Sequence, residues 1–200
     1  MIDLYMWGTG NGYRAAVGLA ESGLAHRIHK VDLAKGEQKK PEYLKINPAG
    51  QIPAMTDSDG PGGKPITLAQ SGAILLYAAE KCGKFLPQDP AARAVALQWM
   101  MQACSDVAGT SGTIFALENV APDKSPANVD FFKARLANFF RIADARLAGR
   151  DFLAGEISVA DFALYPVVAQ RKALAEGLAN LSAWRERMAA RPGVQKGMSA

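Results

Sequence analysis

Cysteine, long apolar runs and clusters of like charge are all scarce in this chain. Cys82 and Cys104 are the only two thiols in 200 residues. Their spacing fits neither a metal site nor a CxxC redox pair, and both are expected as core thiols. No metal is therefore expected. No apolar stretch approaches the roughly 20 residues of a membrane span, which argues against a membrane partner. The net charge is +4, but the basic residues are scattered and no run of five appears. That excludes a basic nucleic-acid arm, while a mild positive field would still gather small anions. Met1-Ile2-Asp3-Leu4 carries an early acid and no basic stretch, so no secretory signal is predicted and the chain reads as cytoplasmic.

What is present is a globular composition, 49% apolar and 21% charged. Ile2, Leu4 and Met6 alternate with Asp3 and Tyr5, as in a half-buried strand. The Gly8-Thr9-Gly10-Asn11-Gly12 loop follows, then a helix over Tyr13–Ser22 with Gly23 as its C-cap. A second strand is predicted over Ile28–Leu33, parallel to the first because a helix intervenes. Two short strands, Ile52–Thr56 and Pro65–Leu68, flank a turn-rich hairpin loop, and a helix over Ser71–Lys81 closes the region. This βαβ-then-ββα order predicts an α/β thioredoxin-like domain over 1–83. A proline-bearing linker over 84–90 leads to an all-helical domain over 91–200. Helices are expected from Ala91 to about Val107, over Asn128–Ala148, from Ser158 to about Ala173, and over Leu181–Ala190, with an interruption near Gly109–Gly112 and a stop at Pro192. Ser158-Val159-Ala160-Asp161 reads as a capping box.

Two stretches point to a ligand. In Asn47-Pro48-Ala49-Gly50-Gln51-Ile52-Pro53-Ala54, a proline after a β-branched residue at a strand start suits a cis peptide beside unpaired backbone. In Gln70-Ser71-Gly72-Ala73-Ile74, an amide and a hydroxyl stand at a helix start, where orphan N–H groups favour a carboxylate. Together they suit a small anionic peptide. The glycines at 8, 10 and 12 do not complete a dinucleotide fingerprint, since Tyr13 stands where the last glycine should be.

These motifs, together with Phe152-Leu153-Ala154-Gly155 and Ile157-Ser158-Val159-Ala160-Asp161, resemble the cytosolic glutathione transferases along essentially the whole chain. Within that superfamily, Thr9-Gly10-Asn11-Gly12 and Val31-Asp32-Leu33-Ala34-Lys35-Gly36-Glu37-Gln38 look most like the nu class, whose members reduce disulfides with glutathione. The resemblance implies glutathione as co-substrate and a homodimer. It implies that Thr9 donates to the glutathione sulfur and Asn11 orients it. It implies a cis Ile52–Pro53 bond, with the Ile52 backbone holding the cysteinyl part. Gln70 and Ser71 would take the γ-glutamyl end, although nu relatives commonly carry an acid at the position of Gln70. Gln38, with Gln51 and Lys40, would face the glycyl end.

Helix capping is the plain role for Thr9, Asn11, Gln70 and Ser71, and it is compatible with ligand binding. Tyr5 reads as a packed strand residue, while Met100, Met101, Phe115, Phe131, Phe132 and Arg135 are candidates for a co-substrate pocket. The predicted function is glutathione-dependent disulfide-bond reduction or transfer without a protein cysteine. The alternatives are conjugation of glutathione to organic electrophiles and a non-catalytic glutathione-binding protein.

Overall fold

The alternation at the N-terminus works as a strand should. In the computed structural model, which describes residues 1–200, Ile2, Leu4 and Met6 are buried on one face of a sheet. The chain divides into two units, Met1–Leu86 with Arg191–Ala200, and Pro87–Ala190.

The first unit runs β1 (Ile2–Met6), α1 (Gly10–Ser22), β2 (His26–Lys30), α2 (Pro41–Leu44), β3 (Ala54–Asp57), β4 (Ile66–Ala69) and α3 (Ser71–Cys82). The strands lie in the order β2-β1-β3-β4. β1 and β2 are parallel, with Ile2 opposite His26, as the intervening helix demands. β1–β3 and β3–β4 are antiparallel, with Tyr5 opposite Ala54 and Ala54 opposite Ala69. One face packs Ile2, Leu4, Met6 and Met55 against Ala15, Ala16 and Leu19 of α1 and Ile74 and Ala78 of α3. The other gathers Tyr5, Val31, Tyr43, Ile52, Ala54 and Ala69. Tyr5 stacks on His29 at 4.8 Å between ring centres, which makes it a packed strand residue. The sheet and its helices form the expected thioredoxin-like domain.

The second unit is helical: α4 (Pro90–Gln102), a π-helical turn over Ala103–Val107, α5 (Ala108–Asn119), α6 (Pro126–Leu147), α7 (Val159–Gln170) and α8 (Ala179–Ala189). α7 is buried on every side from Val159 to Val168 and forms the centre of this unit. No helix in the chain is long and apolar enough to cross a membrane.

Several expectations need correction. β2 ends at Lys30, not Leu33, because Asp32 turns the chain. Its Oδ1 accepts from the N–H groups of Ala34 and Lys35, a local alternative to the ladder. Helix α1 begins at Gly10, three residues early, because Thr9 caps it. The chain does not break at Gly109–Gly112, which lie inside α5. Pro192 does not end the helical region. It occupies the first turn of a terminal helix, Pro192–Met198, where its missing N–H costs nothing. That helix lies on α1 in the first unit, so residues 191–200 leave the domain in which the sequence reading put them. The fit is close: a Cβ on Gly197 would come within 2.5 Å of the Val17 backbone. Arg191 fastens the segment by a bidentate pair to Glu21 at 3.0 and 2.6 Å.

Candidate functional site

Helix α1 starts in a tight turn. The Thr9 N–H bonds to Trp7 O at 2.6 Å, and Gly12 lies so close that a Cβ there would sit 2.1 Å from Trp7 O. Thr9 is extended (φ −115°, ψ 162°), and its Oγ1 accepts from Gly12 N–H at 3.1 Å. A hydroxyl has one proton and two lone pairs, so the cap leaves the Thr9 proton available. The first-turn N–H groups of Gly10 and Asn11 have no acceptor within the helix.

Helix α3 starts differently. Gln70 adopts φ 72°, ψ 117°, a conformation that non-glycine residues rarely take, and its side chain makes no capping bond. The side chain is exposed, and the N–H groups of Ser71, Gly72 and Ala73 lack intrahelical acceptors. Ser71 is buried and accepts from Arg14 at 2.8 Å.

Sheet register brings the next part alongside. Ala54 pairs with Ala69, so extending the ladder by one residue sets Pro53 opposite Gln70. The Ile52–Pro53 peptide is cis. Ile52 lies outside the ladders, while the preceding carbonyl of Gln51 is anchored by Tyr43 Oη and Asn47 Nδ2, both at 2.7 Å. Burial pushes the Tyr43 phenol up to about 12, with the Asn47 contact opposing it, so Tyr43 stays a proton donor. The Gln51 side chain is exposed.

The turn Glu37–Lys39 reaches the same loop. Lys39 Nζ donates to Ala49 O at 3.4 Å, and Gly50 lies against Gln38 O. Gln38 Oε1 is buried without a hydrogen-bond partner. Buried acceptors are nearly always satisfied, so this one calls for a donor from elsewhere. Lys40 is held by Glu37 at 3.1 Å.

Thus a chain of direct contacts and register neighbours links Gln38, the Gly50–Pro53 loop, Gln70, Ser71, Arg14 and Asn11, with Thr9 two residues away. The sequence reading missed Arg14. It sits fully buried in α1, donating through Nη1 to Asn11 Oδ1 at 2.5 Å and to Ser71 Oγ. The signal was its setting, since Ala15-Ala16-Val17-Gly18-Leu19 offers no polar face.

Neither thiol belongs to the Gly8–Gly12 loop. Cys82 and Cys104 are only half-buried, less than expected, and Cys82 Sγ donates to Ala79 O at 3.4 Å. Of the apolar candidates in the second unit, Met100 is core. Met101, Phe115 and Phe131 are exposed, Phe132 packs edge-on to Phe131, and Arg135 lies over the Phe139 ring.

Fold and site together define a thioredoxin-like domain with an open, donor-rich edge, followed by a helical unit. The Glutathione S-transferase, N-terminal domain model matches residues 11–81, and the Glutathione S-transferase, C-terminal domain model matches 114–192. The chain is 38% identical to the disulfide-bond oxidoreductase YfcG of Escherichia coli, over 96% of this chain and 92% of that protein. A glutathione transferase from Pseudomonas putida, solved with one glutathione disulfide per subunit, superposes with a TM-score of 0.91. It is 33% identical, over 98% of this chain and 90% of that one. One from Burkholderia graminis, solved with two glutathione molecules per subunit, gives a TM-score of 0.91 at 32% identity, over 100% and 88%. The chain belongs to the glutathione S-transferase family.

Proposed function

We propose that this protein is a glutathione-dependent disulfide-bond reductase that works without a cysteine of its own. The observation that carries the reading is the Thr9 cap, whose hydroxyl accepts from Gly12 and keeps its proton in a loop that contains no thiol. Glutathione's thiol has a pKa of about 8.5 in water, so the site must favour the thiolate. The Thr9 hydroxyl, the Asn11 amide and the first-turn N–H groups of α1 offer it hydrogen bonds and the positive end of a helix.

The remaining roles follow the ligand's length. Ile52 offers backbone groups to the cysteinyl part, as a short added strand, beside Pro53. Ser71 and the α3 N-terminus take the γ-glutamyl carboxylate, and Gln70 binds near the ammonium, more weakly than an acid would. The orphan Gln38 Oε1 accepts the glycyl N–H, with Gln51 at the same end. The paired Lys40 is left out of the site.

In the reaction, the thiolate of one glutathione attacks a sulfur of the disulfide. A mixed disulfide forms and the other half leaves as a thiolate, which takes up a proton. A second glutathione thiolate then attacks the mixed disulfide, giving glutathione disulfide and the second reduced thiol. The neighbours solved with glutathione disulfide or with two glutathiones support a site with room for both. The name of the E. coli relative supports the reaction. The exposed Phe115 and Phe131 support a homodimer.

Turnover of a model disulfide and of a model chlorinated aromatic, measured side by side, tests the reading. Disulfide reduction is expected to dominate, and markedly faster conjugation would overturn it. The double variant Thr9→Ala, Asn11→Ala is expected to lose both activities, which a non-catalytic binding protein would not do.

A further inference from the structure

Arg14 is an unusual residue to find buried in α1, directly ahead of the small, apolar run Ala15-Ala16-Val17-Gly18-Leu19. It is fully buried between Asn11 on its own helix and Ser71 at the start of α3. Asn11 precedes it by three residues, so the two share a helix face, although Asn11 itself is exposed. The guanidinium therefore reaches outward from the interior to hold an exposed amide.

A guanidinium has five donors and no acceptor, and it stays charged throughout the accessible pH range. The Asn11 atom facing it at 2.5 Å must then be the carbonyl oxygen. This leaves the Asn11 NH2 group turned away from Arg14, as a donor. The same logic applies to Ser71. Its oxygen accepts from Arg14 at 2.8 Å, so its single proton remains to be given elsewhere. One buried cation thus fixes both neighbours as donors, and donors are what anions require.

We propose that Arg14 is a positioning residue that sets Asn11 as a donor to the glutathione thiolate and Ser71 as a donor to the γ-glutamyl carboxylate. The proposal rests on the reading above, in which those two residues meet glutathione. Arg14 touches no reacting atom. It acts by excluding the orientation in which the Asn11 oxygen would face, and repel, the thiolate.

The test is the pKa of the glutathione thiol bound to the enzyme, followed by ultraviolet thiolate absorbance across pH, with melting temperature measured in parallel. Asn11→Ala is expected to raise the thiol pKa by removing the donor. Arg14→Met is expected to raise it by about one unit and to lower kcat/KM roughly ten- to hundred-fold, as loss of an outer supporting group does. Arg14→Lys keeps charge and donors and should recover part of both. A merely structural Arg14 would lower the melting temperature and leave the thiol pKa where it was. A folded Arg14→Met with the wild-type thiol pKa, alongside a raised value in Asn11→Ala, overturns the proposal alone. An unchanged value in Asn11→Ala overturns the Asn11 role and this proposal together.

Asn11→Asp tests the same point without removing Arg14. Its carboxylate keeps the Arg14 contact through one oxygen and turns the other toward the sulfur. The thiol pKa should then rise beyond that of Asn11→Ala. A value at or below that of Asn11→Ala means that residue 11 is not held against the sulfur, and overturns the proposal even if Arg14→Met does not fold.

Discussion

Two of the helices that begin on a β-hydroxyl residue, α1 and α7, do so with opposite results. At α7, the Ser158 hydroxyl is engaged in both directions. It accepts from Ala160 N–H at 3.3 Å and donates to Asp161 Oδ2 at 3.2 Å. Asp161 in turn accepts from Ser158 N–H, Leu153 N–H and the Trp184 indole, and all of it is closed to water. At α1, Thr9 accepts from Gly12 N–H, no acidic residue stands in the first turn, and the hydroxyl proton is free. Both are good N-caps by composition. The difference lies in what remains after local needs are met: nothing at Ser158, and a proton at Thr9. The first arrangement holds a fold together, and the second can hold a ligand.

The sharpest way to break this contrast is to remove each centre in turn. Asp161→Ala removes the acceptor of four buried donors and is expected to cost about 3–5 kcal/mol, read by urea denaturation. Activity of the fraction that remains folded should be unchanged. Thr9→Ala should do the reverse. It is expected to lower kcat/KM about a hundred-fold, as loss of a transition-state donor does, while costing only about 1 kcal/mol of stability for the lost cap. Thr9→Ser should keep both. If Thr9→Ala proves far more damaging to stability than to catalysis, the two helix starts are alike and the contrast fails.

Much of this was visible in the sequence, for identifiable reasons. Strand alternation, the helix C-cap at Gly23 and the Ser158 capping box are local signals, and local signals survive folding. The cis Ile52–Pro53 peptide and the helix start at Gln70-Ser71 were likewise legible. What was missed depends on partners far along the chain. Arg14 reads as an ordinary helix charge until Ser71, 57 residues away, is seen beside it. Pro192 reads as a terminator because a stop and a first-turn proline look the same from one side. The positive φ of Gln70 carries no sequence mark, since glutamine gives no hint of that conformation.

A third cluster places the contrast on a pH axis. Asp57 is buried in the first unit. Burial alone would raise its carboxyl, but Lys81 and Tyr77, each at 2.7 Å, and the Asp59 N–H hold it at about 2. That is below the roughly 3.9 of an unfolded aspartate, so the carboxylate stabilises the fold fully above about pH 4 and loses its effect as pH falls toward 2. Asp57→Asn is expected to cost about 1–2 kcal/mol at pH 7. The gap to the wild-type protein should close on acidification through that window. A gap that persists unchanged at the acid end would show that the effect comes from shape, not charge. Like Asp161, the Asp57 carboxylate is buried with its partners in place, and its loss should leave the glutathione KM of the folded protein alone.

The smallest effect is also the most pointed test of an open helix start. Gln70 holds a positive φ that glycine, lacking a Cβ, tolerates better, and its side chain neither caps α3 nor is buried. Gln70→Gly should therefore relieve strain and raise stability by up to about 1 kcal/mol, part of which is offset by the greater freedom of the unfolded chain. Gln70→Ala keeps the strained conformation and should bring no such gain. Both variants remove the amide expected beside the γ-glutamyl ammonium, so both should raise the glutathione KM to a similar degree with little change in kcat. A pair of variants that match in KM and differ in melting temperature would show that the protein keeps a strained residue here for its ligand. If Gln70→Gly is no more stable than Gln70→Ala, the strain is absent, and the α3 start is open only because nothing caps it.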